Sequence, residues 1–169
     1  MNSYSEDNYQ SCQMKKNLAV LQEVDFFSQV PPQALKIIAF LCRRMFLDVG
    51  EIVFAKGDDP ARCFYIVSGE FELICTADSG GESHIAKQGD LVGSLSLLAR
   101  HSSPFTMTAS KESDVLVIDR ATFEKVVVQF PELYKITAEN IAKRIYRWDA
   151  LQCEKRCSDK SPRGGVSFL

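Results

Sequence analysis

Val49-Gly50-Glu51-Ile52-Val53-Phe54-Ala55-Lys56-Gly57-Asp58-Asp59-Pro60, with Phe64-Tyr65-Ile66-Val67-Ser68-Gly69-Glu70 close behind, decides the fold. Glycines at 50, 57 and 69 cut this stretch into short runs rich in Ile, Val, Phe and Tyr. Runs of that length and composition between turn residues read as strands, here Ile52–Ala55 and Cys63–Val67. A third run, Phe71–Thr76, sets Phe71, Leu73 and Cys75 against Glu70, Glu72 and Ile74, the two-residue period of a strand with one face to a core. Asp78-Ser79-Gly80-Gly81 then reads as a turn. Ser83–Lys87 leads into Gly89-Asp90, and Val115–Ile118 is a further apolar strand. Short strands at this spacing predict a small antiparallel sandwich or roll.

Helical periodicity lies on either side. Before the strands, a helical stretch runs from about Asn17 to Phe27. Pro31-Pro32 opens a second helix, in which Leu35, Ile38, Leu41, Cys42 and Met45 recur at helical spacing. After the strands, Ala121–Phe130 is helical, and Pro131 suits the first turn of a longer helix reaching about Leu151. Residues 1–16 read as a flexible leader and residues 153–169 as a flexible basic tail, leaving 17–152 as one domain. The expected class is mixed α+β: an antiparallel, jelly-roll-like β-roll flanked by N-terminal helices and a C-terminal helix.

Composition narrows the functional classes. Across 169 residues, 46% are hydrophobic and 25% charged, which excludes a disordered or collagen-like chain. Twenty Lys and Arg against 22 Asp and Glu leave a net charge of -2, so nothing global draws the chain to phosphates. No apolar run approaches the roughly 20 residues of a membrane helix. Met1 to Gln10 is polar and acidic, unlike a secretory signal, and a cytoplasmic protein is expected. Cys42, Cys63 and Cys75 fall in apolar runs and are expected in the core as reduced thiols. Cys153 and Cys157 share a helix face, but His84 and His101, the only histidines, lie far off in sequence. No metal site and no cofactor are expected.

The quoted stretch, with Gly89-Asp90-Leu91-Val92-Gly93 and Asp119-Arg120-Ala121-Thr122-Phe123, resembles the cyclic nucleotide-binding domain family. That family is typified by the catabolite activator protein and the regulatory subunits of cAMP-dependent kinase. The resemblance covers about Leu21 to Trp148. It implies a ligand held in a phosphate-binding cassette of the form Gly-Glu-x-x-Leu, a short run, then Arg-x-x-Thr. In such a cassette backbone N–H groups and an Arg face the cyclic phosphate, and the Glu accepts from the ribose hydroxyl. Gly93, Leu97 and Thr106 match the pattern. Ser94 stands where the Glu belongs and Ser103 where the Arg belongs.

The candidate cassette therefore comprises Gly93, Ser94, Leu95, Ser96, Ser103, Pro104, Phe105 and Thr106. Losing a buried Arg–phosphate pair costs about 2–5 kcal/mol, some two to three decades of affinity. Arg100 and His101 are the candidate substitute cations, with a solvated loop as the plainer reading of both. Phe105 could point inward and fill the cavity. The reading that follows is a stand-alone regulatory or sensor module that does not bind cAMP or cGMP tightly and acts through another small ligand or protein contacts. The alternative is a weak, non-standard cyclic nucleotide binder signalling through the C-terminal helix.

Other classes fare worse. After Trp148 the chain carries Ser-Pro and Gly-Gly and no stretch that reads as a recognition helix, so direct nucleic-acid binding is not expected. No nucleophile-elbow or Walker-type motif is present, and His101 beside Ser102 and Ser103 is not by itself a base–nucleophile pair. An enzyme is not expected. Ile141, Ile145, Trp148 and Leu151 form an apolar strip along the last helix, suited either to packing on the roll or to pairing as a homodimer.

Overall fold

Strands β3 (Arg62–Ser68) and β8 (Ser113–Asp119) form the centre of the fold. They pair antiparallel from Arg62↔Asp119 to Ser68↔Asp114. Their side chains alternate between two cores. Phe64, Ile66, Val115 and Val117 face one, and Cys63, Leu116 and Ile118 face the other. Strands buried on both faces need unbroken apolar sequence, which is what Cys63–Val67 and Val115–Ile118 supply. Each fully buried large side chain contributes about 1.5–3 kcal/mol.

The computed structural model describes residues 3–75 and 83–158. The remaining strands are β1 (Arg43–Leu47), β2 (Ile52–Phe54), β4 (Glu70–Ile74), β5 (Ser83–Lys87), β6 (Leu91–Val92) and β7 (Thr106–Ala109). One sheet has the order β1-β8-β3-β6 and the other β2-β7-β4-β5, every described pairing being antiparallel. The first core fills the space between the sheets, with Phe71, Met107 and Ala109 from the second sheet. The second lies on the outer face of the first sheet, beneath four helices: α1 (Ser3–Glu23), α2 (Pro32–Leu41), α3 (Arg120–Gln129) and α4 (Glu132–Ser158). The mixed α+β, two-sheet arrangement flanked by helices is the one expected.

Several local expectations are corrected. Residues 3–16, read as an aperiodic leader, belong to α1. The helix is anchored where Leu21 and Asn17 are buried, Asn17 donating to the Ala39 carbonyl. Once anchored, a helix extends at little cost per residue. Residues 153–158, assigned to the loose tail, continue α4. Met45, given to the second helix, lies on β1, because α2 stops at Leu41 and Arg43–Leu47 pairs with β8. Cys75 is exposed, since it stands just beyond the end of β4. Cys42 and Cys63 are buried, and burial pushes both thiols up to about 12. The turn at 78–81 and the tail beyond Ser158 lie outside the described residues.

Helix α4 is tied down by polar bonds as well as by packing. Asn140, itself buried, donates through Nδ2 to the Phe26 carbonyl at 2.7 Å, and Arg144 donates to the Leu91 carbonyl at 2.9 Å. Asn140→Ala leaves the Phe26 carbonyl without its partner and is expected to cost about 1–3 kcal/mol in urea unfolding, with the m-value unchanged. A loss under about 0.5 kcal/mol would mean that water takes over the bond.

Candidate ligand cavity at the cassette

The candidate cassette begins where β6 ends. Gly93 adopts φ +77°, and a Cβ there would come within 2.6 Å of the Arg62 carbonyl oxygen. Only glycine fits so close to β3 at that backbone angle. The chain then makes a single 3₁₀ turn, Ser94–Leu97, whose Leu97 is buried in the helix-covered core. Ser96 is fully buried, its hydroxyl 3.0 Å from Nε2 of His101.

Arg120 supports this turn from behind. Its Nε donates to the Ser96 carbonyl, and its two terminal nitrogens hold the Asp59 carboxylate at 2.9 and 2.6 Å. Arg120 is only 9% exposed, so the fork works in a partly dry setting. The Arg120 guanidinium holds the Asp59 carboxyl down to about 2, from an ordinary 3.8. Neither residue was singled out from sequence as part of the site, although Asp59 and Arg120 both lie in stretches that carried the family resemblance. An arginine buried in such a fork cannot be told from a surface charge without the fold around it.

A cavity of about 350 Å³ opens over the cassette. Of the candidate residues, Gly93, Ser94, Leu95, Ser103, Pro104 and Phe105 line it, together with His101, Ser102, Phe54 and Pro60. Thr106 lies at the start of β7, where its hydroxyl accepts from the Lys56 N–H at 3.0 Å. Phe105 points inward but forms a wall rather than a plug, its ring centroid 5.6 Å from that of Phe54. Ser103 is buried, and its hydroxyl turns back on its own loop, donating to the Phe105 carbonyl at 2.7 Å and accepting the Phe105 N–H at 3.3 Å. Arg100 is exposed, does not line the cavity, and makes no hydrogen bond or ion pair to the described residues. Among the described lining residues, His101 is the only ionisable group.

The model of the cyclic nucleotide-binding domain matches residues 44–130, half of the chain. The chain belongs to the cyclic nucleotide-binding domain family. It is a regulatory, sensor-type domain, and the fold is a binding rather than a catalytic one. A cyclic nucleotide-binding-like protein from Brucella abortus superposes with a TM-score of 0.59 at 25% identity, over 66% of this chain and 97% of that one. A regulatory subunit of a cAMP-independent protein kinase A from Trypanosoma brucei gives a TM-score of 0.63 at 18% identity, covering 78% of this chain and 49% of that one. Among curated proteins, a lysophospholipase of Chaetomium globosum is 22% identical over 116 residues, 68% of this chain. The chain spans only 8% of that protein's length.

In this member of the family, Ile141 is buried and Ile145 partly buried, both packed into the chain's own helical core. The side chains of Trp148, Leu151, Cys153 and Cys157 lie outside the described ones. Among the described residues, no group of three His, Cys, Asp or Glu is placed to hold a metal ion, and no helix is long and apolar enough to cross a membrane.

The Asp59–Arg120 fork makes a pH prediction. A carboxyl held below its unfolded value stabilises the fold fully above about 3.8, and loses that contribution as pH falls toward about 2. Asp59→Asn is therefore expected to melt below the parent at neutral pH, the gap closing through that window. Melting temperatures of both proteins against pH check it. A gap that stays constant down to the lowest pH at which both unfold cooperatively would rule the carboxylate out as its source.

Proposed function

We propose that the chain is a regulatory module whose cassette does not hold cAMP or cGMP tightly, and which responds to another small ligand or to protein contacts. The observation that carries this reading is the environment of Ser103. Where the family places a cation for the cyclic phosphate, this chain has a short hydroxyl already satisfied by the Phe105 backbone. Ser94, in the place of the ribose-binding carboxylate, brings no charge to the wall. The nearest buried cation, Arg120, is engaged with Asp59 and the Ser96 carbonyl.

The fold leaves the ligand open. It is shared with a kinase regulatory subunit described as cAMP-independent, and at that level of identity the likeness extends to the fold alone. A response would pass to α4 through the Arg144 bond to Leu91, two residues ahead of Gly93. Protein contacts or a homodimer through α4 are the outputs this reading allows.

Isothermal titration with cAMP and with cGMP tests it. No binding is expected in the micromolar range, given the two to three decades lost with the ion pair. A Kd in the micromolar range or tighter for either nucleotide overturns the reading.

A further inference from the structure

The cassette cavity has a composition that selects its ligand by charge. Phe54, Pro60, Leu95, Pro104 and Phe105 give it apolar walls. Its polar side chains, among the described residues, are three serine hydroxyls and one imidazole, and two of these four are already engaged. The Ser103 hydroxyl is closed on the Phe105 backbone, and His101 Nε2 pairs with Ser96. The Nδ1 atom of His101 lies 3.4 Å from the neighbouring Ser102 carbonyl. Only the hydroxyls of Ser94 and Ser102 have no partner among the described residues.

A charged group brought into such a space gives up its water and, apart from the His101 imidazole, meets no ionisable side chain among the described lining residues. That cost is large for either sign. Among the described lining residues an anion finds no Arg or Lys, and a cation finds no Asp or Glu. The nearby charges, Asp59 and Arg120, are locked together outside the lining. At about 350 Å³ the space is near the lower end of the range for small-molecule pockets, roughly 300–1,000 Å³. It suits one small ring system rather than an extended chain.

We propose that the cassette cavity is a site for a small, uncharged, largely apolar ring molecule carrying one hydroxyl or carbonyl, bound by the Ser94 and Ser102 hydroxyls. The assignment rests on the reading that tight cyclic nucleotide binding is absent, and adds the chemical class of the ligand. The aromatic pair Phe54 and Phe105 would hold the ring, and Leu95, 41% exposed at the mouth, would lose its water on binding.

Three probes of one shape and different charge test it: 3-(2-hydroxyethyl)indole, indole-3-acetate and tryptamine, titrated at near-neutral pH into the full chain labelled with nitrogen-15. The neutral alcohol is expected to shift the amides of Gly93–Ser96 and of Ser102, Ser103 and Phe105, with a Kd at least about tenfold below those of the two ions. Ser94→Lys places a cation on the wall and is expected to turn the preference toward indole-3-acetate. An ion that binds the parent as well as the alcohol does overturns the assignment. So does the absence of shifts at those amides with all three probes, an outcome that leaves the reading against cAMP and cGMP untouched. Micromolar cAMP binding, measured in parallel, would instead bring down the reading on which the assignment rests.

Discussion

The β3–β8 pair is the constraint on which the rest depends. Its side chains divide the interior into two cores, so neither sheet nor helical layer can be removed without exposing one face of it. The site hangs from one end of the pair, at Arg62↔Asp119. The Arg62 carbonyl sets how closely Gly93 must approach. Asp59 lies just before β3, and Arg120 follows β8 directly. The ladder therefore brings the two halves of the Asp59–Arg120 fork together and fixes the fork beneath the cassette.

That arrangement changes what charge does here. An Arg on the cavity wall would serve a ligand's charge. Arg120 instead serves the chain, filling the Ser96 carbonyl and neutralising Asp59. Because its partners are internal, the turn needs no ligand to complete its electrostatics. The described cavity wall is left to Phe54, Phe105, Leu95, two prolines, three serines and His101.

Much of this was legible in the residues, in ways that follow from the physics. Strands buried on both faces announce themselves by continuous Ile, Val and Phe, and β3 and β8 were plain for that reason. Strand β7 was not. Its Thr-Met-Thr-Ala buries Met107 and Ala109 alternately, but four residues with two threonines carry little hydrophobic signal. Met45 misled because a residue four beyond Leu41 continues a helical period, while the pairing of Arg43–Leu47 with β8 is a non-local fact. At the site, the glycine at 93 and the serines at 94 and 103 could be read off directly. The closure of Ser103 on its own loop, the Phe54–Phe105 wall and the Asp59–Arg120 fork could not, because each depends on partners far away in the chain or on where a loop turns.

The buried cysteines give this layered design a chemical consequence. At about 12, the Cys63 and Cys42 thiols carry almost no thiolate, and alkylating reagents and oxidants act on the thiolate. Cys63 lies under the helical layer on β3, while Cys12 and Cys75 face solvent. Modification of Cys63 therefore has to wait for the helices to lift from the sheet, so its rate, set against that of the exposed thiols, is a clock for that opening.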